Sequence, residues 1–382
     1  MFYAVPSGYV VGMNHTSTTT SGNRRPVYAE MVEEIRRRVE SGEVSEGEYL
    51  ASEHELAAST GISRDSVRRG IQTLIVEGLV ERRPGRGLFV RSRETQSTMI
   101  QIVVRNLEDN LQVQVARGAQ SLGADCGIGV QIYDSHRHHE LALNILRSLP
   151  DTGFSGAIVT GPAYAGLPEA LMSLKRVQFP FVMIDERLSG FDVSSVTSDN
   201  YRGGYLLGEH LLGLGHRRIG FVTRRLEKNE TVRRRVDGLR DAICDAGLPF
   251  DRSLIAEMTI QPSQRDWQDE IERATCELME HSEPPTAIFC CNDGVAADVY
   301  RVLRAMGKRI PEDISVVGFD DDPVAAVLDP PLTTIRQDVA GMGRAAMELL
   351  LEQMGGTGED RAENQVMPVE LVERASVERI SD

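Results

Sequence analysis

Residues 53–90 read EHELAASTGISRDSVRRGIQTLIVEGLVERRPGRGLFV, and this stretch decides the fold of the N-terminal part of the chain. Ser52 stands three residues before Glu55, a spacing that is typical of a capping box and predicts a helix start. Gly61 suits a sharp turn because glycine tolerates a positive φ. Ser63 then has the side chain that an N-terminal helix cap requires. The pattern predicts two short helices joined by a tight turn.

The second predicted helix has one apolar face and one polar face. Its apolar positions recur at the spacing of a single helical face and are Val67, Ile71, Leu74 and Ile75. Its opposite face carries Arg64, Ser66, Arg68 and Arg69. Beyond this helix, Leu79–Arg82 and Leu88–Val90 are predicted strands joined by a Pro-Gly-Arg-Gly turn. The whole stretch therefore predicts a helix-turn-helix followed by a two-stranded wing.

This layout suits double-stranded DNA. An α-helix fits the major groove, where arginine binds guanine edges or phosphates, and an arginine at the tip of a wing reaches a neighbouring groove. The alternative is that the arginines form an ordinary solvated helix face, since a run of charges is a weak signal. The order of cap, turn, helix and Gly-Arg-Gly hairpin favours DNA binding.

Residues 26–90 resemble the GntR-type winged-helix DNA-binding domain. The matching segments are Ser52-Glu53-x-Glu55-Leu56-Ala57, Ser63-Arg64-x-x-Val67-Arg68, Leu74-x-x-Glu77-Gly78-Leu79-Val80 and Gly85-Arg86-Gly87. The resemblance implies that the second helix reads DNA and that the wing contacts it. His54 stands where the family usually has an arginine, and Asp65 where a threonine is common, so the operator sequence is left open. The candidate DNA-binding residues are His54, Ser63, Arg64, Ser66, Arg68, Arg69, Arg86 and Gly87.

Length and composition are those of a globular protein with two or three domains. The chain has 382 residues, of which 41% are hydrophobic and 26% charged. Its five cysteines show no metal-ligand spacing and predict reduced thiols. The longest apolar runs fall short of the ~20 residues of a membrane-spanning helix. We expect no cofactor, no metal and no membrane partner.

The net charge of −15 is unevenly distributed. Residues 24–93 carry about +1, and the rest of the chain carries −16. This asymmetry is expected of a DNA-facing domain attached to an acidic body that phosphates repel. We predict a disordered tail at 1–23, a winged helix-turn-helix domain at 24–91, a linker at 92–98 and a second domain at 99–382.

From Met99 onward, predicted strands and helices alternate. This alternation indicates an α/β domain with parallel sheets flanked by helices. About 280 residues are too many for one such sheet, so two lobes with a cleft are expected. In open parallel sheets, ligands bind beyond the carboxyl ends of the strands. Polar residues directly follow predicted strands at Thr160, Asp185, Asn292 and Asp320.

Residues 99–382 resemble the LacI-type regulatory domain, which is similar to periplasmic sugar-binding proteins. The segments that carry this resemblance are Asp199-Asn200-x-x-Gly203, His210–Ile219, Pro285–Asp293, Pro311–Asp321 and Pro330–Gln337. The resemblance implies an effector site between the lobes, in which carboxylates, amides and a forked arginine bind hydroxyl groups. The candidate effector-binding residues are Thr160, Asp185, Thr231, Arg235, Trp267, Asn292, Asp320 and Gln337.

Structural alternatives exist for several of these residues. An aspartate at a strand end often only caps a turn, and Trp267 fits a core as well as a pocket. The loop 106–111 departs from the Asn-Pro-Phe-Phe pattern of the family. The histidines within 136–140 and the triplet 320–322 lack the geometry of a metal site.

Together, the two resemblances point to arabinose-repressor-type transcriptional regulators. We predict a cytoplasmic, homodimeric repressor whose operator binding is controlled by a sugar-like effector held between two lobes. The alternatives are a sugar-binding receptor without gene regulation and a sugar-metabolising enzyme. Against the receptor, the chain has no signal-peptide pattern. Against the enzyme, it has no nucleophile–base pair or phosphate loop.

Overall fold

The computed structural model describes residues 27–45, 47–76, 79–83, 87–90, 98–161, 166–188, 190–258, 267–355 and 362–380. The chain divides into two compact units, 1–97 and 98–382. The predicted tail at 1–23 and residues 92–97 of the predicted linker lie outside the described residues, and the predicted domain boundaries stay predictions.

The first unit is a small bundle of helices with an antiparallel sheet. Its elements are α1 (Ala29–Glu40), β1 (Tyr49–Ala51), α2 (Glu53–Thr60), α3 (Arg64–Val76), β2 (Val80–Arg83) and β3 (Gly87–Val90). The strands pair in the order β1-β3-β2. The apolar face of α3 packs against α1, and Val67, Ile71 and Leu74 are fully buried. The predicted helix, turn, helix and hairpin are present, and β1 is an additional strand that completes the sheet.

The second unit begins with alternating strands and helices. They are β4 (Met99–Val104), α4 (Asn110–Asp125), β5 (Gly129–Asp134), α5 (His139–Ser148), β6 (Gly156–Thr160), α6 (Leu167–Arg176), β7 (Phe181–Ile184) and β8 (Ser195–Ser198).

The series continues with longer helices. The next elements are α7 (Asn200–Gly213), β9 (Ile219–Arg224), α8 (Glu230–Asp245), β10 (Ile255–Met258), α9 (Trp267–Met279), β11 (Ala287–Cys290), α10 (Asp293–Ala305), β12 (Ser315–Val317), α11 (Pro323–Val327) and β13 (Thr334–Gln337). The last elements are α12 (Val339–Met354), β14 (Asn364–Met367) and β15 (Val369–Val372).

Two parallel sheets form the two lobes. The first lobe has the strand order β14-β8-β7-β6-β4-β5, and the second has β10-β9-β11-β12. Separate apolar clusters cover the two faces of the first sheet, and one large cluster surrounds the second. The described chain passes between the lobes after β8, after β13 and after β14. The predicted α/β architecture with two lobes is confirmed.

The sequence pattern missed several elements. It did not predict α6, β8, β10, α11, β13, α12, β14 or β15, and the helix it predicted over 271–279 begins four residues after the start of α9. The missed strands have only four residues each, which is too short for a clear hydrophobic period. Among the helices that the structure describes, none combines the length and the apolarity that a membrane crossing requires.

Candidate functional site

The turn between α2 and α3 is built by local contacts. The Ser52 side chain accepts a hydrogen bond from the Glu55 backbone N–H, while the Glu55 carboxylate accepts one from the Ser52 N–H. Gly61 ends α2 with φ +69°, and the Ser63 hydroxyl accepts from the Ser66 N–H at the start of α3. The predicted capping box and glycine turn are confirmed.

The polar face of α3 is open to solvent. Ser63, Arg64, Arg68 and Arg69 are exposed, and Ser66 is half-buried. An exposed arginine face at the start of a helix that follows a tight turn is the form in which a recognition helix meets DNA.

Two of these arginines contact residues of α2. An Nη of Arg64 lies 2.9 Å from Nδ1 of the exposed His54, and an Nη of Arg68 lies 3.3 Å from Glu53. Glu53 also binds Arg82 of β2. The sequence analysis missed Glu53, because nothing in its spacing shows that it reaches across the turn. These contacts orient the arginines without burying them.

The wing is described only in part. Arg86 lies outside the described residues. Gly87 has φ +102°, and a Cβ at this position would lie 2.7 Å from the Tyr49 ring. Only glycine fits here, so Gly87 has a structural role at the start of β3 whatever Arg86 contacts.

In the second unit, a cavity of about 390 Å³ lies between the two lobes. It opens at the carboxyl ends of the strands, as expected for parallel sheets. Six of the eight candidate effector-binding residues line it, namely Asp185, Thr231, Arg235, Trp267, Asn292 and Asp320. Thr160 and Gln337 lie behind the wall. Thr160 donates to Gln112, which lines the cavity, and Gln337 donates to Asp320 over 2.6 Å.

Arg235 is almost fully buried in the wall of the cleft, with 6% of its side chain exposed. Its Nε donates to Asn200 over 2.8 Å, and one Nη donates to the Cys291 carbonyl. The other Nη lies 3.6 Å from Asp320, and the guanidinium stacks on the Phe319 ring at 3.6 Å from its centroid. Four partners hold this fork in one orientation, which is the preorganisation that a binding site needs.

Close helix packing places Arg235 in this position. A Cβ on Gly204 of α7 would lie 2.0 Å from the Arg235 carbonyl oxygen, so only glycine allows α8 to come this close.

The carboxylates at the strand ends adopt unusual backbone conformations. Asp185 has φ +73° and Asp320 has φ +113°, values that are uncommon outside glycine. Burial raises the pKa of Asp320 well above its ordinary value, although the nearby Arg235 charge opposes the shift. Burial also raises the pKa of Asp185, whose Oδ1 is enclosed without a hydrogen-bond partner. Strained backbone and an unpaired buried oxygen both favour a ligand-binding role over a simple turn cap.

Glu186 joins the two lobes across the cleft. Thr231 of the second lobe donates to its carboxylate over 3.1 Å. Burial, helped by the charge of Asp185, raises the pKa of Glu186 to about 8. A second bridge runs from the Asn110 amide of the first lobe to Asp322 of the second, over 2.7 Å. These two hydrogen bonds connect the lobes at the cavity.

Both lobes contribute lining residues that the sequence did not predict. The loop that departs from the expected aromatic pattern supplies charged and amide groups instead, and Arg137 and Arg224 lie nearby. The missed lining residues with polar side chains are Arg105, Glu108, Asp109, Asn110, Gln112, Arg137, Glu186, Arg224, Asn229 and Asp322. Arg105 and Arg224 stand at strand ends, so the rule that located Asp185 and Asp320 applies to them as well.

Asn292 and Trp267 have structural roles besides lining the cavity. The Asn292 side chain accepts from the Val295 N–H and caps α10, while Trp267 packs against the core of the second lobe. Trp267 therefore belongs both to the cavity wall and to the edge of the core, and Asn292 has a capping role that the sequence did not predict. In the part of the chain that the structure describes, no cluster of three or more His, Cys, Asp or Glu side chains could hold a metal ion.

A helix-turn-helix unit with an exposed arginine face, followed by a two-lobed domain with a cavity between its lobes, defines the class of ligand-binding transcription regulators. Comparisons with known proteins agree. The family described as bacterial regulatory proteins, gntR family, matches residues 27–90, and the periplasmic binding protein-like domain matches residues 209–377.

Two relatives are described as arabinose metabolism transcriptional repressors. The protein of Geobacillus stearothermophilus is 30% identical, over 93% of this chain and 98% of its own length. That of Halalkalibacterium halodurans is 28% identical, over 86% of this chain and 90% of its own length. A LacI-family regulator from Enterococcus faecium with bound ribose has a TM-score of 0.63 and 26% identity, covering 74% of this chain and all of its own.

The chain belongs to the family of these repressors, in which a gntR-type DNA-binding domain is joined to a periplasmic-binding-protein-like domain. It is a DNA-binding transcriptional regulator and not an enzyme, because that is the activity of the family.

Proposed function

We propose that the cleft of the second unit binds a sugar or sugar derivative, and that this binding controls the affinity of the first unit for operator DNA. The observation that carries the proposal is the Arg235–Asp320 pair, which lines the cavity between the lobes and is held by Asn200, Phe319 and Gln337. A forked guanidinium and a carboxylate together donate to and accept from neighbouring hydroxyl groups.

The relatives support the same ligand class. The two full-length relatives are described by arabinose metabolism, and the similar structure from Enterococcus faecium contains ribose. Asp185, Thr231, Asn292 and Trp267 also line the cavity, and we assign them to the same site.

On the DNA side, we assign base and phosphate contacts to the polar face of α3. This face offers Arg64, Arg68 and Arg69 in exposed positions, with Ser63 and Ser66 at the helix start. His54 lies beside Arg64, where it supports the same surface. Arg86 and Gly87 complete the proposed interface at the wing.

We further propose that the regulator acts in the cytoplasm as a homodimer that binds two half-sites about one DNA turn apart. The effector changes DNA binding only through a difference in affinity between two states of the dimer. We expect the effector to be an inducer that releases the operator, since the relatives are repressors of sugar metabolism.

The proposal is tested by fluorescence anisotropy of the purified full chain on DNA from its own upstream region, with and without a panel of sugars. A sugar that binds in a thermal-shift screen and also changes the DNA affinity supports it. Sugars that bind without any change in DNA affinity would favour a receptor role. Absence of binding by any sugar or sugar derivative would overturn the effector class.

A further inference from the structure

Three arginines of the cleft have no role in the arrangement around Arg235. Arg105 directly follows β4 in the first lobe, and Arg224 is the last residue of β9 in the second lobe. Arg137 lies in the loop after β5, with φ +63°. All three line the same cavity. Two lobes therefore bring like charges together at one place.

The positive charge of this cluster is only partly neutralised. Arg105 binds Asp109 through one Nη over 2.6 Å, but its Nε is buried without a hydrogen-bond partner. The Nε of Arg224 is also buried without a partner. Within the described ranges, the Arg224 side chain makes no ion pair. Buried polar groups in proteins are almost always bonded, so both arginines at this cavity have hydrogen-bonding capacity that their protein neighbours leave unused.

The charge of Arg224 in the second lobe acts on Arg105 in the first lobe. Burial lowers the pKa of this arginine, and the charge of Arg224 lowers it further. The charge of Asp109 and its hydrogen bond to Arg105 oppose this lowering of the pKa. Both side chains line the one cavity, and an anion between them would offset the repulsion of their charges.

We propose that the effector carries an anionic group, a phosphate or a carboxylate, which lies between Arg105 and Arg224. Its hydroxyl groups would then face Arg235 and Asp320. Guanidinium groups bind both kinds of anion through paired hydrogen bonds. This inference rests on the proposed sugar-binding function and makes the ligand a sugar phosphate or a sugar acid in place of a neutral sugar.

Asp185 is the alternative partner for these arginines. The charges of Arg235, Arg105 and Arg224 all act on its carboxylate, but it makes no ion pair with them, and its Oδ1 has no hydrogen bond. A ligand between the aspartate and the arginines would bind both, with hydroxyls toward the former and the anionic group toward the latter.

The test is isothermal titration calorimetry of the full chain with pentoses and hexoses, each in three forms: the neutral sugar, its phosphate ester and its aldonate or uronate. We expect one anionic form to bind at least about 10-fold more tightly than its neutral parent, as hydrogen bonds to charged groups predict. The anionic form that binds more tightly shows whether the anionic group is a phosphate or a carboxylate. A neutral sugar that binds as tightly as both of its anionic forms overturns the inference and leaves the proposed function intact. If nothing in the panel binds, both fail.

The variant Arg224→Gln tests whether the preference for an anionic ligand depends on the arginines that line the cavity. We expect its affinity for the anionic form to fall roughly 10- to 100-fold, while affinity for the neutral parent is kept. Arg225→Gln is the matched control, because it removes the same charge from an exposed neighbour outside the cavity. The melting temperature of ligand-free Arg224→Gln shows whether the variant folds, and it should not fall, since the substitution removes a repulsion. An equal loss for the neutral and anionic ligands in a folded variant would overturn the assignment.

Discussion

Arginines of the two units have the same chemistry and opposite surroundings. Arg68 on α3 has 62% of its side chain exposed and pairs with the carboxylate of Glu53. Arg235 in the cleft has 6% exposed and is held by Asn200, Asp320 and an aromatic face. Exposed ion pairs contribute about 0–1 kcal/mol, whereas breaking a buried pair costs about 3–5 kcal/mol.

The difference in exposure between the two arginines matches their proposed ligands, which are DNA for Arg68 and a small molecule for Arg235. An arginine that meets DNA exchanges its intramolecular partner for a phosphate or a base, so a weak and exposed partner is an advantage. An arginine that binds a small molecule inside a cavity gives higher affinity when its orientation is fixed, because folding has already ordered the side chain and binding does not have to.

The largest expected effect comes from removing the Asp320 carboxylate from the cleft. Asp320→Ala leaves the buried Arg235 without its carboxylate and removes an acceptor for ligand hydroxyls. We expect ligand affinity to fall more than about 100-fold, with operator affinity kept. Calorimetry and DNA anisotropy measure the two quantities. Asp192→Ala, on an exposed aspartate of the first lobe, is the control and should leave both unchanged. An unaltered ligand response in Asp320→Ala would place the site elsewhere.

The second prediction concerns the pH dependence of stability, which should differ between a buried and an exposed carboxylate. Because the folded pKa of Glu186 is raised from 4.5 to about 8, the folded state retains a proton that the unfolded chain releases. The stability from this group is therefore full below about pH 4.5 and is lost as pH rises toward 8.

We expect Glu186→Gln to increase the free energy of unfolding at pH 8 by a few kcal/mol, which raises the melting temperature by several degrees. The effect at pH 5 should be smaller. Thermal unfolding at both pH values measures this. The exposed Glu209→Gln should show no such difference between the two values. A pH-independent effect of Glu186→Gln would contradict the assigned titration.

A smaller effect is expected at the DNA surface. Arg68→Ala removes one exposed side chain, and we predict a loss of operator affinity of about 1–3 kcal/mol, or roughly 10- to 100-fold, with ligand binding unchanged. Arg37→Ala is the matched control, since Arg37 is an exposed, ion-paired arginine on α1. Equal operator affinities for the two variants would argue against α3 as the recognition helix.

The smallest expected effect concerns the capping of α2, the helix that precedes α3. Ser52→Ala removes half of the capping box of α2 and should lower the stability of the first unit by about 1 kcal/mol. Chemical denaturation of the full chain, followed by a probe in the first unit, detects it. Ser59→Ala, near the end of the same helix, should change stability by less than about 0.5 kcal/mol. Equal losses would show that the cap does not hold the helix.

The sequence predicted the first unit well because its determinants are local. The Ser52–Glu55 pair, the turn at Gly61 and the apolar stripe of α3 depend on neighbours within a few residues. Glu53 was missed, since its contacts reach Arg68 and Arg82 through the tertiary fold.

The sequence predicted the cleft in outline only. The strand-end rule located Asp185, Asn292 and Asp320 on its wall. The same rule also selected Thr160, which the fold turns toward Gln112 and behind the wall. A strand end shows the edge of the sheet at which a side chain lies, but not the direction in which it points.

The sequence by itself determined the two-part organisation, the α/β class of the body and the helix-turn-helix, because short-range periodicity and capping specify them. Only the tertiary structure decided that Arg105 and Arg224 face one cavity, that Glu186 meets Thr231 across it, and that Arg235 is fixed against Asp320. These meetings depend on how two separate sheets place their strand ends, which is a property of long-range packing and not of any local pattern.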